Sequence, residues 1–192
     1  WSPIEQSLAR ELLGLPKDVP LLLFGAMGGT NDPRKGFDLL LATLDHLRDN
    51  VQTSDLEIVV FGQSAPKNLP DLGFPIHYIG HLHDALSLRA LYSAADAFVA
   101  PSRLYNLPLT AIESLTCGTA VVAFQICGMP DMIKHKENGY LAKPYDTEDL
   151  ARGITWVLEE QRVEQLSKNA RKKAVEMFSF PVVSEKYQAL YR

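Results

Sequence analysis

Lys35 closes a glycine-rich loop, Gly25-Ala26-Met27-Gly28-Gly29-Thr30-Asn31-Asp32-Pro33-Arg34-Lys35-Gly36. Glycines such as Gly28 and Gly29 let backbone N–H groups approach a ligand, and a helix starting near Gly36 turns its positive end toward the same space. An ammonium just before that helix meets a phosphate as a compact point charge. The same residues serve equally as a strand-to-helix turn with Arg34 and Lys35 in solvent. GxGxxG spacing is absent, and so is the GxxxxGK[ST] of a P-loop. A nicotinamide enzyme would carry an acid at the end of the second strand, where this chain has Phe61-Gly62-Gln63-Ser64.

A second constellation runs Pro101-Ser102-Arg103-Leu104-Tyr105-Asn106-Leu107-Pro108-Leu109-Thr110-Ala111-Ile112-Glu113. A strand ends, a polar loop turns, and a helix begins near Pro108, a residue favoured in a first turn. The unpaired N–H groups of Leu109 and Thr110 then form a ready anion site. Glu113 lies one turn further in. Taken alone it also reads as an acid complementing the helix dipole.

The elements that would position these residues follow from periodicity. Glu5–Leu13 is a short helix stopped by Gly14 and Pro16. Pro20–Gly25 is an apolar run suited to a strand covered on both faces. Phe37, Leu40, Leu41, Leu44 and Leu47 form one helical stripe. Further strands fall at Asp55–Gly62, Ile76–Gly80, Ala97–Ala100 and Thr119–Phe124, with Tyr140-Leu141 after a loop containing Gly128 and Pro130. Helices cover Leu86–Ala95 and Leu109–Thr116. Asp146 and Asp149 resemble a capping box for another helix, and two more cover about Val163–Met177 and the segment from Ser179. Strands alternating with helices predict an α/β fold: a Rossmann-like, doubly wound parallel sheet of about six strands flanked by helices. Ligands of such sheets bind beyond the carboxyl ends of the strands, where the winding reverses.

Composition narrows the function. The 192 residues are 46% hydrophobic and 22% charged, enough for one sizeable core and too ordinary for disorder. A net charge of -4 argues against nucleic acid as a partner. The apolar runs are strand-sized, short of the roughly 20 residues of a membrane helix. Cys117 and Cys127 lack metal spacing and read as reduced, mostly buried thiols, which favours a cytoplasmic setting. The start Trp1-Ser2-Pro3 is no signal peptide and lacks an initiator Met, so the chain is expected to begin within a longer protein.

From about Leu12 to Arg192 the chain resembles the carboxyl-terminal half of retaining glycosyltransferases of family 4 (group 1), which have the two-domain GT-B architecture. The resemblance rests on Arg34-Lys35-Gly36, Pro101-Ser102, the segment Asn106–Glu113, Cys117-Gly118-Thr119-Ala120-Val121-Val122, Gly128-Met129-Pro130-Asp131-Met132-Ile133 and Glu137-Asn138-Gly139-Tyr140-Leu141. It implies that residues 1–192 form a single nucleotide-sugar-binding domain whose amino-terminal partner, holding the acceptor and the usual catalytic His, is absent. It also implies that Lys35 contacts the donor's diphosphate and that Glu113, the second acid of E-x7-E, receives the ribose hydroxyls; these two are the catalytic candidates. Leu109 and Thr110 would give amides to the diphosphate, and Leu82 would hold the nucleobase through its main chain, with Gly62 and Gln63 nearby. Gly28, Gly29, Arg34, Tyr105 and Asn106 complete the donor-binding set.

Two positions depart from the family pattern. Its Arg after the first strand's Gly is Ala26 here, and the first acid of E-x7-E is Tyr105. Arg34 or Arg103 is the expected replacement for the missing cation. No Asp-x-Asp motif is present, so the resemblance implies a nucleoside-diphosphate sugar as substrate with no metal and no other cofactor. Each charge-assisted contact to the departing diphosphate is worth about 1.5–3 kcal/mol. Any peripheral association with a membrane would run through the absent domain. This chain alone is expected to bind donor weakly and to transfer no sugar. Two other readings stand beside the transferase: a catalytically silent nucleotide-sugar-binding module, suggested by Ala26 and Tyr105, and a GT-B nucleotide-sugar epimerase. The five histidines show no metal spacing. Trp156 reads as packing, and Lys168, Arg171, Lys172 and Lys173 as a solvated helix face.

Overall fold

The computed structural model describes residues 1–25, 32–48, 53, 55–66 and 71–191. Among these the strands are β1 (Leu21–Gly25), β2 (Glu57–Phe61), β3 (Ile76–Gly80), β4 (Ala97–Ala100), β5 (Ala120–Phe124) and β6 (Gly139–Ala142). All pair in parallel, in the order β3-β2-β1-β4-β5-β6. The sheet is therefore doubly wound, as the alternation of apolar runs and helices predicts, and its winding reverses between β1 and β4.

Alternate strand residues feed opposite faces. Leu21, Leu23, Val59, Phe98 and Val121 join one buried cluster, whereas Leu22, Phe24, Val60, Val99 and Val122 join the other. Both faces are covered, which is why these segments read as unbroken apolar runs. Leu21, Leu22 and Leu23 are wholly buried, each contributing about 1.5–3 kcal/mol.

Helices α1 (Gln6–Leu13), α3 (Ala85–Ala94), α4 (Leu109–Thr116) and the short α5 (Met129–Met132) supply buried residues to the first face, and α2 (Phe37–Arg48) and α6 (Thr147–Leu158) to the second. On α2 the predicted stripe is the packed one, with Leu40, Leu44 and Leu47 fully buried. Helix α7 (Glu160–Phe178) packs on α4, and α8 (Phe180–Leu190) rests on α7 with no buried residue of its own. At the amino ends of the strands, buried Arg10 pairs with Asp96, whose carboxylate also receives the amide of Leu21.

Several local expectations need correction. The segment around Gly128 and Pro130 is not all loop: α5 forms there with Pro in its first turn. Helix α7 begins at Glu160, before the expected Val163. Asp146 caps α6 by accepting from the amide of Asp149 at 2.8 Å. Asp149, however, turns its carboxylate to the Tyr140 hydroxyl and the Lys143 amide, so only half of a capping box forms. Cys117 is buried, which pushes its thiol up to about 11, but Cys127 is exposed, contrary to the expectation that the thiols are mostly buried. Arg171 is no free surface charge: it donates to the carbonyls of Trp1 and Thr116 and ties the amino end of the chain to α4.

Candidate donor site at the sheet's carboxyl rim

Lys35 ends a single 3-10 turn, Pro33–Lys35, that leads into α2. The turn is set locally: Asp32 caps it by accepting from the Arg34 amide at 3.0 Å, and Pro33 supplies a preset φ at its first position. Gly36 then takes φ +69, and a Cβ placed there would sit 2.0 Å from the carbonyl oxygen of Pro101. That contact presses the entry to α2 against the end of β4. The amide of Arg103 donates to the carbonyl of Arg34 at 2.8 Å, and the Arg103 guanidinium donates to the Pro33 carbonyl and to both oxygens of Asp38. The segments after β1 and β4 are thereby stapled together where the winding reverses.

Within this staple the Lys35 ammonium lies 4.0 Å from the centroid of the Tyr105 ring. Tyr105 belongs to the loop that feeds α4. That helix starts after Pro108, which offers no side-chain cap to its first amides. Behind the loop, a Cβ at Gly128 would stand 1.8 Å from the Asn106 carbonyl, so the backbone after β5 buttresses the approach to α4. Asn106 and Leu109 are exposed and Thr110 is half-buried.

Both arginines have carboxylate partners: Arg34 points its guanidinium at Asp32, in reach of both carboxylate oxygens, and Arg103 pairs with Asp38. The carboxyls of Asp32 and Asp38 are held below their ordinary range by these partners. Gly28, Gly29 and Ala26 lie outside the described residues.

Glu113 is half-buried one turn into α4 and accepts a hydrogen bond at 3.0 Å from the hydroxyl of the fully buried Tyr92. The Tyr92 ring packs edge-on against Phe61, the last residue of β2. Beside that end, the amide of Gly62 donates to Gly80 at 2.8 Å, joining the segments after β2 and β3. Leu82 follows, half-buried against the first core cluster. Gly62 and Leu82 therefore belong to the half of the rim beyond β2 and β3, and Lys35, Tyr105 and Leu109 to the switch point, with Glu113 one turn further along α4.

Burial raises the carboxyl of Glu113, with the Tyr92 hydrogen bond pulling partly the other way. The folded state thus holds this proton more firmly than the unfolded chain. Stability accordingly falls as pH rises from the ordinary glutamate value through the raised one. Glu113→Gln keeps an acceptor for Tyr92 and removes the charge. Urea unfolding should show the variant gaining stability at pH 7 and little at pH 4; an equal gain at both would contradict this account.

Three histidines serve as structural partners, His135 accepting from the Leu141 amide, His46 bonding Thr147 and His77 pairing with Glu57, while the exposed His81 and His83 stack on each other. Trp156 packs against Tyr140 and under Arg162, as a packing residue should. Among the described residues no three or more His, Cys, Asp or Glu side chains gather closely enough to hold a metal, and no helix is long and apolar enough to cross a membrane. Residue types alone missed Tyr92 as the partner of Glu113. They also missed both arginine partners, although Asp32-Pro33-Arg34 is a local signal that could have found one.

Strand order and rim define a doubly wound α/β domain of the Rossmann type. Residues 10–173 match the family described as glycosyl transferases group 1, and the chain belongs to that family. It is 31% identical over 207 aligned positions to a D-inositol 3-phosphate glycosyltransferase of Saccharomonospora viridis, an alignment covering all of this chain and 47% of that protein. It is similar in structure to the sucrose-phosphate synthase of Thermosynechococcus elongatus, with a TM-score of 0.82 and 28% identity over 100% of this chain and 49% of the other. Anabaena HepE in complex with UDP and glucose shares the fold, at a TM-score of 0.76 and 19% identity, over 96% of this chain and 51% of that one. The chain spans less than half the length of the curated relatives it matches.

Proposed function

We propose that this chain is the donor-binding half of a retaining glycosyltransferase, which moves a sugar from a nucleoside-diphosphate sugar to an acceptor held by a separate amino-terminal domain. One observation carries the reading: the Lys35 ammonium and the loop entering the uncapped α4 meet at the switch point of the sheet. Breaking the anomeric carbon–oxygen bond leaves negative charge on the diphosphate, and preorganised cations and amide dipoles stabilise such charge best where they need not reorganise. Lys35 and the amides of Leu109 and Thr110 take that part. Glu113, kept half-buried at a cost in stability, receives the ribose hydroxyls, and Leu82 with Gly62 borders the base. No metal or other cofactor is called for. Family membership supports the reading, as does the UDP bound by a structural neighbour.

A thermal-shift screen of UDP, GDP and ADP and their sugars tests it, because a ligand that binds only the folded state raises the melting temperature. At least one should do so, and Lys35→Ala should weaken that ligand by roughly 10- to 150-fold, the equivalent of one charge-assisted contact. No response to any of them, or an unchanged Lys35→Ala, would remove the basis of the proposal. The chain by itself should transfer no sugar. A silent binding module is favoured by one feature, Tyr105 in place of an acid; sugar transfer by this chain joined to its amino-terminal domain would exclude it.

A further inference from the structure

We infer that Tyr105 is a positioning residue for Lys35, holding the ammonium over its ring and bringing no counter-charge to it. This rests on the reading of Lys35 as the diphosphate's cation. The nearest carboxylates along the chain have guanidinium partners, Asp38 in Arg103 and Asp32 in Arg34, with the Lys35 charge only a minor influence on Asp32. What the structure offers Lys35 is the face of a half-buried tyrosine, 4.0 Å from ring centroid to Nζ.

The choice has a chemical consequence. A lysine side chain is a flexible four-carbon stem, and ordering it when an anion arrives costs conformational entropy. A carboxylate would order the stem but would compete with the incoming diphosphate for the same ammonium. An aromatic face orders it through the ring quadrupole instead and leaves the charge uncancelled. The loop geometry keeps the ring in place: Arg103, two residues earlier, is bonded to Arg34 and Asp38, and Asn106, one residue later, is backed by Gly128. Ring and ammonium are thus carried by two segments that are themselves stapled together.

The test is a double-mutant cycle between positions 35 and 105, read as affinity for UDP, GDP and ADP and for the matching nucleosides, which carry no phosphate. Tyr105→Phe keeps the ring and should bind within about twofold of the native chain. Tyr105→Ala and Tyr105→Leu should each lose roughly three- to tenfold in diphosphate affinity and nothing in nucleoside affinity. In a Lys35→Ala background the Tyr105 substitutions should cost nothing further, because the partner they position is gone. Three results would overturn the inference while leaving the donor-binding reading standing: Tyr105→Ala and Tyr105→Leu binding like the native chain, Tyr105→Phe as weak as Tyr105→Ala, or losses that simply add in the double variant. A native chain that binds none of the three diphosphates would overturn both.

Discussion

Adding one methyl group at position 36 is expected to cost about 2–5 kcal/mol of folding stability and to abolish most nucleotide binding with it. Two effects combine in Gly36→Ala. The left-handed backbone at φ +69 disfavours any L side chain, by about 1–2 kcal/mol. The new Cβ would also lie 2.0 Å from the Pro101 carbonyl, which is backbone and cannot swing aside, and overpacking of this kind costs about 1–3 kcal/mol. Relief requires the entry to α2 to move off the end of β4. That movement strains the Arg103–Arg34 backbone bond and the Arg103–Asp38 pair, and it carries Lys35 away from Tyr105. Gly14→Ala is the control. Its φ is +64, but nothing stands within 4 Å of the added atom, so only the backbone cost of about 1–2 kcal/mol applies. Urea midpoints at constant m-value, with UDP, GDP and ADP affinities measured alongside, separate the two. Equal losses at both positions would mean that the contact with Pro101 is unimportant.

Why this rim was partly readable from residue types, and partly not, follows from the range of the interactions. β1 and β5 are buried on both faces, so their sequences are apolar without interruption and mark themselves as strands. The α2 stripe and the stop at Gly14 are equally local signals. Lys35 and the start of α4 were legible because loop and helix-start chemistry is written within a few residues. The pairing of Glu113 with Tyr92 spans 21 residues and that of Arg103 with Asp38 spans 65, and no periodicity announces such partners. The partners of Arg34 and Arg103 stayed hidden for this reason: a charge count along the loop does not say which charges are paired. Helix α5 was missed because Gly128 and Pro130 are turn residues by type, while Pro in a first helical turn is also well placed.

The second large effect is expected at the far end of the sheet, where no ligand chemistry is involved. Asp96 sits just before β4 and is the hub joining α1, β1 and β4. Its carboxylate accepts from the Arg10 guanidinium at 2.7 Å, from the Leu21 amide at 2.7 Å and from the Gln6 side-chain amide at 2.9 Å. The Arg10 side chain is 5% exposed and that of Asp96 15%, so the pair is well shielded from water. Arg10 also donates to the carbonyls of Ala94, Lys17 and Val19; it could not leave without orphaning them. Asp96→Ala therefore strands a buried cation and should cost about 3–5 kcal/mol. Arg10→Ala should be costly too, and the double variant should cost clearly less than the sum of the two, because each single change already removes the shared interaction. The site is remote from Lys35 and Tyr105, so the fraction of Asp96→Ala that remains folded should bind nucleoside diphosphates as the native chain does. Additive losses at positions 10 and 96 would show the pair to be uncoupled. Weakened ligand affinity in folded Asp96→Ala would show that the rim depends on more than the switch-point contacts that hold Lys35 in place.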